Sequence, residues 1–129
     1  MMNIFNLLGR KQKDPKVSKM LLDVAGEYIA MGDDQADKQE YLNGAVSAWN
    51  IACLESRKQK KALKEYRENY RQLNPSHTNR DCDDALENIR LLIKRKNKLY
   101  PEARIQIAYA KIVTKGNKDH VTVASVRLR

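Results

Sequence analysis

The apolar residues of this chain follow a helical spacing up to Leu99 and a strand spacing after Pro101. Before the proline they recur every three or four positions, which places them on one face of an α-helix. After it, β-branched residues recur with a period of two, which is typical of β-strands. The change predicts a mainly α, α+β fold, with a helical domain over residues 14–100 and a C-terminal two-stranded antiparallel β-hairpin over residues 104–128.

Capping and chain-breaking residues predict four helices in the helical part. Asp14 is a favoured N-cap residue, Pro15 suits the first helical position, and Gly32 ends the first helix. Pro75 and the residue before it end the third helix. The second and fourth helices each have two candidate starts, at residue 35 or 37 and at residue 79 or 81. We therefore expect a four-helix bundle-like domain whose helices span about residues 14–32, 35–54, 56–73 and 79–99.

The hairpin is predicted from two β-rich stretches, residues 104–114 and 120–128, joined by a turn that contains Gly116. The apolar face of its first strand is predicted to hold Ile105, Ile107, Tyr109 and Val113. Two strands alone are marginally stable in water, so this hairpin needs further cover. In one interpretation it packs on the second and fourth helices, and its free edge is protected by Lys111, Lys115 and Lys118. In the other, two hairpins pair edge to edge in a homodimer.

The length and composition predict a single domain over residues 1–129, because 42% hydrophobic residues in a chain of this size can form one core. Residues 1–13 are expected to be a mobile N-terminal segment. The segment combines apolar residues at helical spacing with basic ones, namely Met1, Ile4, Phe5, Leu8, Arg10, Lys11 and Lys13. Such a segment either folds back on the core or docks on a partner or an anionic membrane surface.

The cysteine content and the start of the chain predict a cytoplasmic protein. Only Cys53 and Cys82 are present, which is too few for a disulfide framework, and no signal-peptide pattern precedes Asp14. No apolar stretch is long enough to span a membrane. We therefore expect a chain that works in a reducing compartment.

The net charge of +9 is unevenly distributed along the chain. Residues 1–55 contain 6 Lys and Arg against 8 Asp and Glu, whereas residues 56–129 contain 19 against 8. The first part therefore has a net charge of −2 and the second a net charge of +11. This asymmetry indicates an anionic partner for the second part of the chain.

Two basic stripes lie within that second part. The third helix carries cations on the side opposite its apolar residues, namely Arg57, Lys60, Lys61, Lys64, Arg67 and Arg71. The fourth helix carries a stripe at i, i+4 and i+8, namely Arg90, Lys94 and Lys98. If both stripes face the same way, they form one partner-binding surface. The alternative is a solvated helix face on which Glu65 and Glu68 pair with neighbouring cations.

These features predict a non-catalytic, small intracellular binding or assembly protein. It would contact an acidic protein partner, or a second copy of itself, through the basic stripes and the hairpin edge. The competing prediction is a nucleic-acid-binding protein that uses the same stripes. Because the chain has no helix-turn-helix, zinc-finger, RNP-like or GXXG pattern, such binding would not be sequence-specific.

The sequence predicts no catalytic, cofactor-binding or metal-binding residues. His77 and His120 stand near no nucleophile motif, and no CxxC or HxxxH spacing begins a metal site. Asp33 and the carboxylates after it lack the spacing of a calcium loop, and none of the five glycines belongs to a phosphate-binding loop. We therefore expect no enzyme activity and no cofactor.

Overall fold

The computed structural model describes residues 10–127, which form four α-helices and one three-stranded antiparallel sheet. The elements in chain order are β1 (Arg10–Lys13), α1 (Pro15–Ile29), α2 (Gln35–Ala52), α3 (Ser56–Leu73), α4 (Asn79–Leu99), β2 (Ile107–Lys115) and β3 (Lys118–Arg127). The four helices and the C-terminal antiparallel hairpin confirm the α+β fold that the sequence predicts.

Side-chain caps set the starts of three helices. The side chain of Asp14 caps α1, that of Asp34 caps α2, and that of Thr78 caps α4. At α4 the cap is reciprocal, because Thr78 accepts a hydrogen bond from the backbone of Asp81 and the Asp81 carboxylate accepts one from the backbone of Thr78. Helix α1 ends at Ile29, three residues before the predicted end.

The sequence did not predict β1, which follows the N-terminal residues that lie outside the described part of the chain. Its four residues are all polar and show no alternation of apolar residues. Lys13 lies opposite Ala124 of β3, and the backbone of Asp14 continues the pairing by donating to the Val123 carbonyl at 2.9 Å. The sheet order is therefore β1-β3-β2, with β3 in the centre. The apolar residues at the start of the chain that were predicted to make contacts fall outside residues 10–127.

A register shift in β2 corrects the predicted apolar face of the hairpin. The shift lies between Ile107 and Tyr109, and an extra residue at such a bulge reverses which side chains point inward. Ile107 is buried as predicted, but beyond the bulge Ala110 and Ile112 are buried and Tyr109 is 51% exposed. The prediction that Tyr109 belongs to the inner face was therefore wrong.

Amide side chains of α2 cover the outer edge of β2. Asn50 accepts a hydrogen bond from the backbone N–H of Ile107 at 2.7 Å and donates one to its carbonyl at 2.9 Å. Further along the strand, the Gln39 side chain accepts a hydrogen bond from the backbone N–H of Ile112 and donates one to the carbonyl of Ala110. These amides complete backbone hydrogen bonds that a neighbouring strand would otherwise provide.

Both edges of the hairpin are partly covered. The edge of β3 pairs with β1 over residues 124–127. The edge of β2 is bonded to α2 at positions from residue 107 to residue 114, where Gln35 accepts from the backbone of Thr114. Pairing of two hairpins through these covered stretches would displace β1 or α2.

The core lies between the helices and the inner face of the sheet. Trp49 of α2 is 1% exposed, and its indole N–H donates to the Ile105 carbonyl at 2.8 Å. Small residues on α2 are buried and allow close helix packing, namely Gly44, Ala45, Ala48 and Ala52. Among the described residues, no helix is long and apolar enough to cross a membrane.

We expect Asn50→Ala to destabilise the chain by about 2 kcal/mol, because it leaves both backbone groups of Ile107 without their partners. The control is Gln72→Ala, which removes an exposed amide from α3 and should change the free energy of unfolding by less than about 0.5 kcal/mol. Urea denaturation of the two variants and the parent chain provides the measurement. Equal stability of the two variants would contradict the role assigned to Asn50.

Candidate functional site

Helix α3 exposes most of its surface. None of its residues is buried, and it packs on the core through partly buried side chains that include Ala62, Leu63 and Tyr66. Its sequence contains seven Lys and Arg residues against Glu65 and Glu68. The helix therefore presents an excess of five positive charges to its surroundings.

The nine cations predicted from the sequence lie on α3 and α4, and together we call them the basic surface. They are Arg57, Lys60, Lys61, Lys64, Arg67, Arg71, Arg90, Lys94 and Lys98. Eight of these residues are exposed, and Arg67 is half-buried. The structure thus places all nine residues where a partner can reach at least part of the side chain.

Two contacts fix how α3 lies against α4. Arg67 forms an ion pair with Asp83 at 2.9 Å, and Arg71 donates to the side chain of Asn79. The helices are antiparallel. Moving toward the start of α3 therefore corresponds to moving toward the end of α4. At the same rise per residue on both helices, Lys60 is level with Arg90.

By this register, the α4 stripe from Arg90 onward is level with the beginning of α3. Lys94 and Lys98 continue the α4 stripe from Arg90 toward the end of α4. At the opposite end, Arg67 and Arg71 are engaged by residues of α4. The cations available to a partner are accordingly concentrated near the start of α3.

Some cations of the basic surface have weak local partners. Arg57 pairs with Glu55 at 2.9 Å, Lys61 with Glu65 at 3.9 Å, and Arg90 with Glu87 at 3.8 Å. Pairs as exposed as these contribute little to stability, so a partner can replace them at small cost. Four lysines of the basic surface form no ion pair with any described side chain, namely Lys60, Lys64, Lys94 and Lys98. We call these the free lysines.

Lys96 does not belong to the basic surface, although it lies between Lys94 and Lys98 in the sequence. It is 1% exposed, its ammonium donates to the Ala103 carbonyl at 2.7 Å, and it lies 5.5 Å from the centre of the Trp49 ring. Burial lowers its pKa. Its charge is therefore part of the core.

An exposed leucine lies beside the free lysines of α4. Leu91 is 56% exposed, and Lys94 follows it by three residues on the same side of the helix. The aromatic residues of α3 face the other way, because Tyr66 and Tyr70 are half-buried toward the core. The described part of the basic surface therefore offers an aliphatic contact and no aromatic ring on which a base can stack.

The histidines and cysteines do not assemble a reactive centre in the described residues. The His77 ring lies within hydrogen-bond distance, 2.9 Å, of the Tyr70 hydroxyl, and Cys82 is buried. Burial raises the pKa of the Cys53 thiol, which points at the Ala103 carbonyl. Within residues 10–127, no group of three or more His, Cys, Asp or Glu side chains is placed to hold a metal ion.

A cavity of about 330 Å³ is the feature that the sequence analysis missed. Four of the six tyrosines line it together with two carboxylates, namely Tyr28, Tyr41, Tyr66, Tyr70, Asp37 and Glu40. We call it the tyrosine cavity. Each tyrosine follows the apolar spacing of its own helix, and spacing alone does not reveal that the rings of three helices meet.

The rings of the tyrosine cavity form two pairs. Tyr28 and Tyr41 meet edge to face with their centroids 4.8 Å apart, and Tyr66 and Tyr70 are stacked with centroids 6.4 Å apart. Burial, followed by the neighbouring tyrosines, raises the pKa of Tyr28. Burial is also the main cause that raises the pKa values of Tyr66 and Tyr70. These hydroxyls therefore stay neutral at pH values where an ordinary tyrosine begins to ionise.

Alkaline titration should show late ionisation of Tyr28, Tyr66 and Tyr70, and of Tyr100, whose pKa is raised by its hydrogen bond to Asp23. Because the folded pKa values of Tyr28, Tyr66 and Tyr70 are raised above 10.0, the stability they contribute is complete below pH 10.0 and is lost as the pH rises through the folded values. Tyrosinate absorbance, followed together with circular dichroism, should show a late group of tyrosines, and Tyr28→Phe should reduce that group by one. Ionisation of all six tyrosines in one step in the folded chain would contradict this expectation.

Comparison with protein-family models, curated protein sequences and solved structures found no match to this chain.

Proposed function

We propose that this chain is a non-catalytic binding protein that docks on an acidic surface of a protein partner through its basic surface. The observation that carries the proposal is the set of four free lysines on α3 and α4, two of which, Lys94 and Lys98, share a side of α4 with the exposed Leu91. Carboxylates of a partner would supply the counter-charges that these lysines lack within the described chain. Leu91 would provide an apolar contact at the centre of a charged rim.

The same leucine favours a protein over a nucleic acid as the partner. Interfaces between proteins combine apolar centres with polar rims, whereas a phosphate backbone offers nothing for an aliphatic side chain to pack against. Steering by the lysines would raise the association rate, and Leu91 would contribute to the affinity.

Nucleic-acid binding is the second candidate function, and the register of α3 against α4 is the observation that favours it. Arg57 to Arg71 spans about 21 Å along α3, and the α4 stripe lies beside part of that length. Two adjacent rows of cations can follow a phosphate backbone without reading the bases.

A second copy of the chain is the weaker partner on physical grounds. A twofold interface between two basic surfaces would bring like charges together. Parts of both hairpin edges are also already bonded, to β1 and to α2.

We place the proposed role in the cytoplasm because Cys53 and Cys82 are free thiols, which suits a reducing compartment.

Neutralising the free lysines should abolish partner capture. The test variant carries Lys60→Gln, Lys64→Gln, Lys94→Gln and Lys98→Gln. The matched control removes four exposed lysines outside α3 and α4, namely Lys16, Lys19, Lys111 and Lys115. Nuclease-treated, affinity-tagged chains are crosslinked in cells, and the captured proteins are compared by mass spectrometry. The parent and the control should capture the same acidic partner, and the test variant should lose it.

Direct binding then separates the two candidate functions. Leu91→Ala should weaken binding of the purified partner by about tenfold and leave binding to duplex RNA or DNA unchanged. If the test variant retains the partner as well as the control does, the proposal is wrong. If the parent chain binds duplexes with a steep salt dependence that only the test variant loses, nucleic-acid binding replaces the protein partner.

A further inference from the structure

The tyrosine cavity lies between all four helices. Tyr28 comes from α1, Tyr41 from α2, and Tyr66 and Tyr70 from α3, while small residues of α2 and α4, Gly44 and Ala85, leave its interior open. All four tyrosines are half-buried, so part of each side chain remains accessible. The volume of about 330 Å³ suits a small ligand or a single inserted side chain.

The charge of the cavity is opposite to that of the chain. The protein has a net charge of +9, yet the residues lining the cavity include Asp37 and Glu40 and, among those that the structure describes, no lysine or arginine. Burial raises the pKa of Tyr70, and Cys82 and the carboxylates of Asp81 and Glu40 raise it further. The lining itself therefore combines two carboxylates with its tyrosine rings.

Aromatic rings and carboxylates together favour an organic cation. The faces of tyrosine rings attract cations, and this attraction is strongest for ions that lose their water readily. A methylated ammonium group fits this environment because its methyl groups pack on the rings without needing hydrogen-bond acceptors. A metal ion fits less well, because the described His, Cys, Asp and Glu side chains form no group that could hold one.

We propose that the tyrosine cavity binds a methylated ammonium group, with the tyrosine rings contacting its methyl groups and Glu40 and Asp37 balancing its charge. The site is separate from the basic surface, since half-buried Tyr66 and Tyr70 line the cavity, whereas the free lysines are exposed residues of α3 and α4 that do not line it. It therefore goes beyond the proposed docking function and is tested independently of it.

The test is a titration of the full chain with tetramethylammonium chloride, followed by NMR of the tyrosine ring resonances. We expect saturable shifts of the cavity tyrosines with a millimolar dissociation constant, and no saturable shifts with potassium chloride at the same ionic strength. Choline and a peptide carrying trimethyl-lysine distinguish the source of the group. Tighter binding of the peptide than of choline and of the unmodified peptide would identify a modified protein side chain, and equal binding of the two methylated probes would identify a small molecule.

Matched variants test the two parts of the site. Tyr41→Leu and Glu40→Gln should each weaken tetramethylammonium binding by about tenfold. Their controls, Tyr109→Leu on the outer face of β2 and Glu27→Gln on α1, remove exposed residues elsewhere and should have no effect. Tyr70→Phe keeps the ring and should bind within about twofold of the parent chain.

Thermal unfolding of each variant establishes that it is folded, and the parent-chain titration needs no variant. The proposal is overturned if tetramethylammonium produces no saturable shift of the cavity tyrosines. It is also overturned if folded Tyr41→Leu and Glu40→Gln bind as tightly as their controls.

Discussion

The fold depends on the hydrogen bonds through which α2 completes the edge of β2. Asn50 and Gln39 each accept a hydrogen bond from a backbone N–H of β2 and donate one to a backbone carbonyl of β2. These two side chains thus form hydrogen bonds that a neighbouring strand would otherwise form. The same helix carries Trp49 into the core and packs against each of the other helices. Loss of the hydrogen bonds between α2 and β2 would leave backbone groups of β2 unpaired and would also separate the sheet from the helices.

Because α2 lies at the centre of the helical part, α3 lies at its periphery. The basic surface and the tyrosine cavity both depend on this position of α3. Because no residue of α3 is fully buried, its outer side is free to carry cations without a desolvation cost. Its inner side packs partly through Tyr66 and Tyr70. Large planar rings meeting at an angle leave space that aliphatic side chains would fill, and the tyrosine cavity is that space.

The sequence predicts those parts of the structure that local chemistry determines. The start of α1 follows from its cap Asp14, and the exposure of the basic stripes follows from helical periodicity. The polar strand β1 could not be predicted, because only its pairing with β3 makes it a strand. The bulge after Ile107 and the cavity depend equally on tertiary packing, since neither a register shift nor a meeting of four rings has a signature in spacing.

The net charge of the chain does not determine which ions bind to each part of the protein surface. At physiological ionic strength a charge acts over roughly 8 Å, so an ion at the tyrosine cavity responds mainly to the carboxylates that line it. Asp37 and Glu40 belong to the acidic first part of the chain, and the free lysines to the basic second part. The fold brings these parts together yet keeps their charges apart, with the carboxylates at the tyrosine cavity and the free lysines on exposed positions of α3 and α4 that do not line it. A chain with a net charge of +9 can therefore attract anions on one surface and a cation in one cavity.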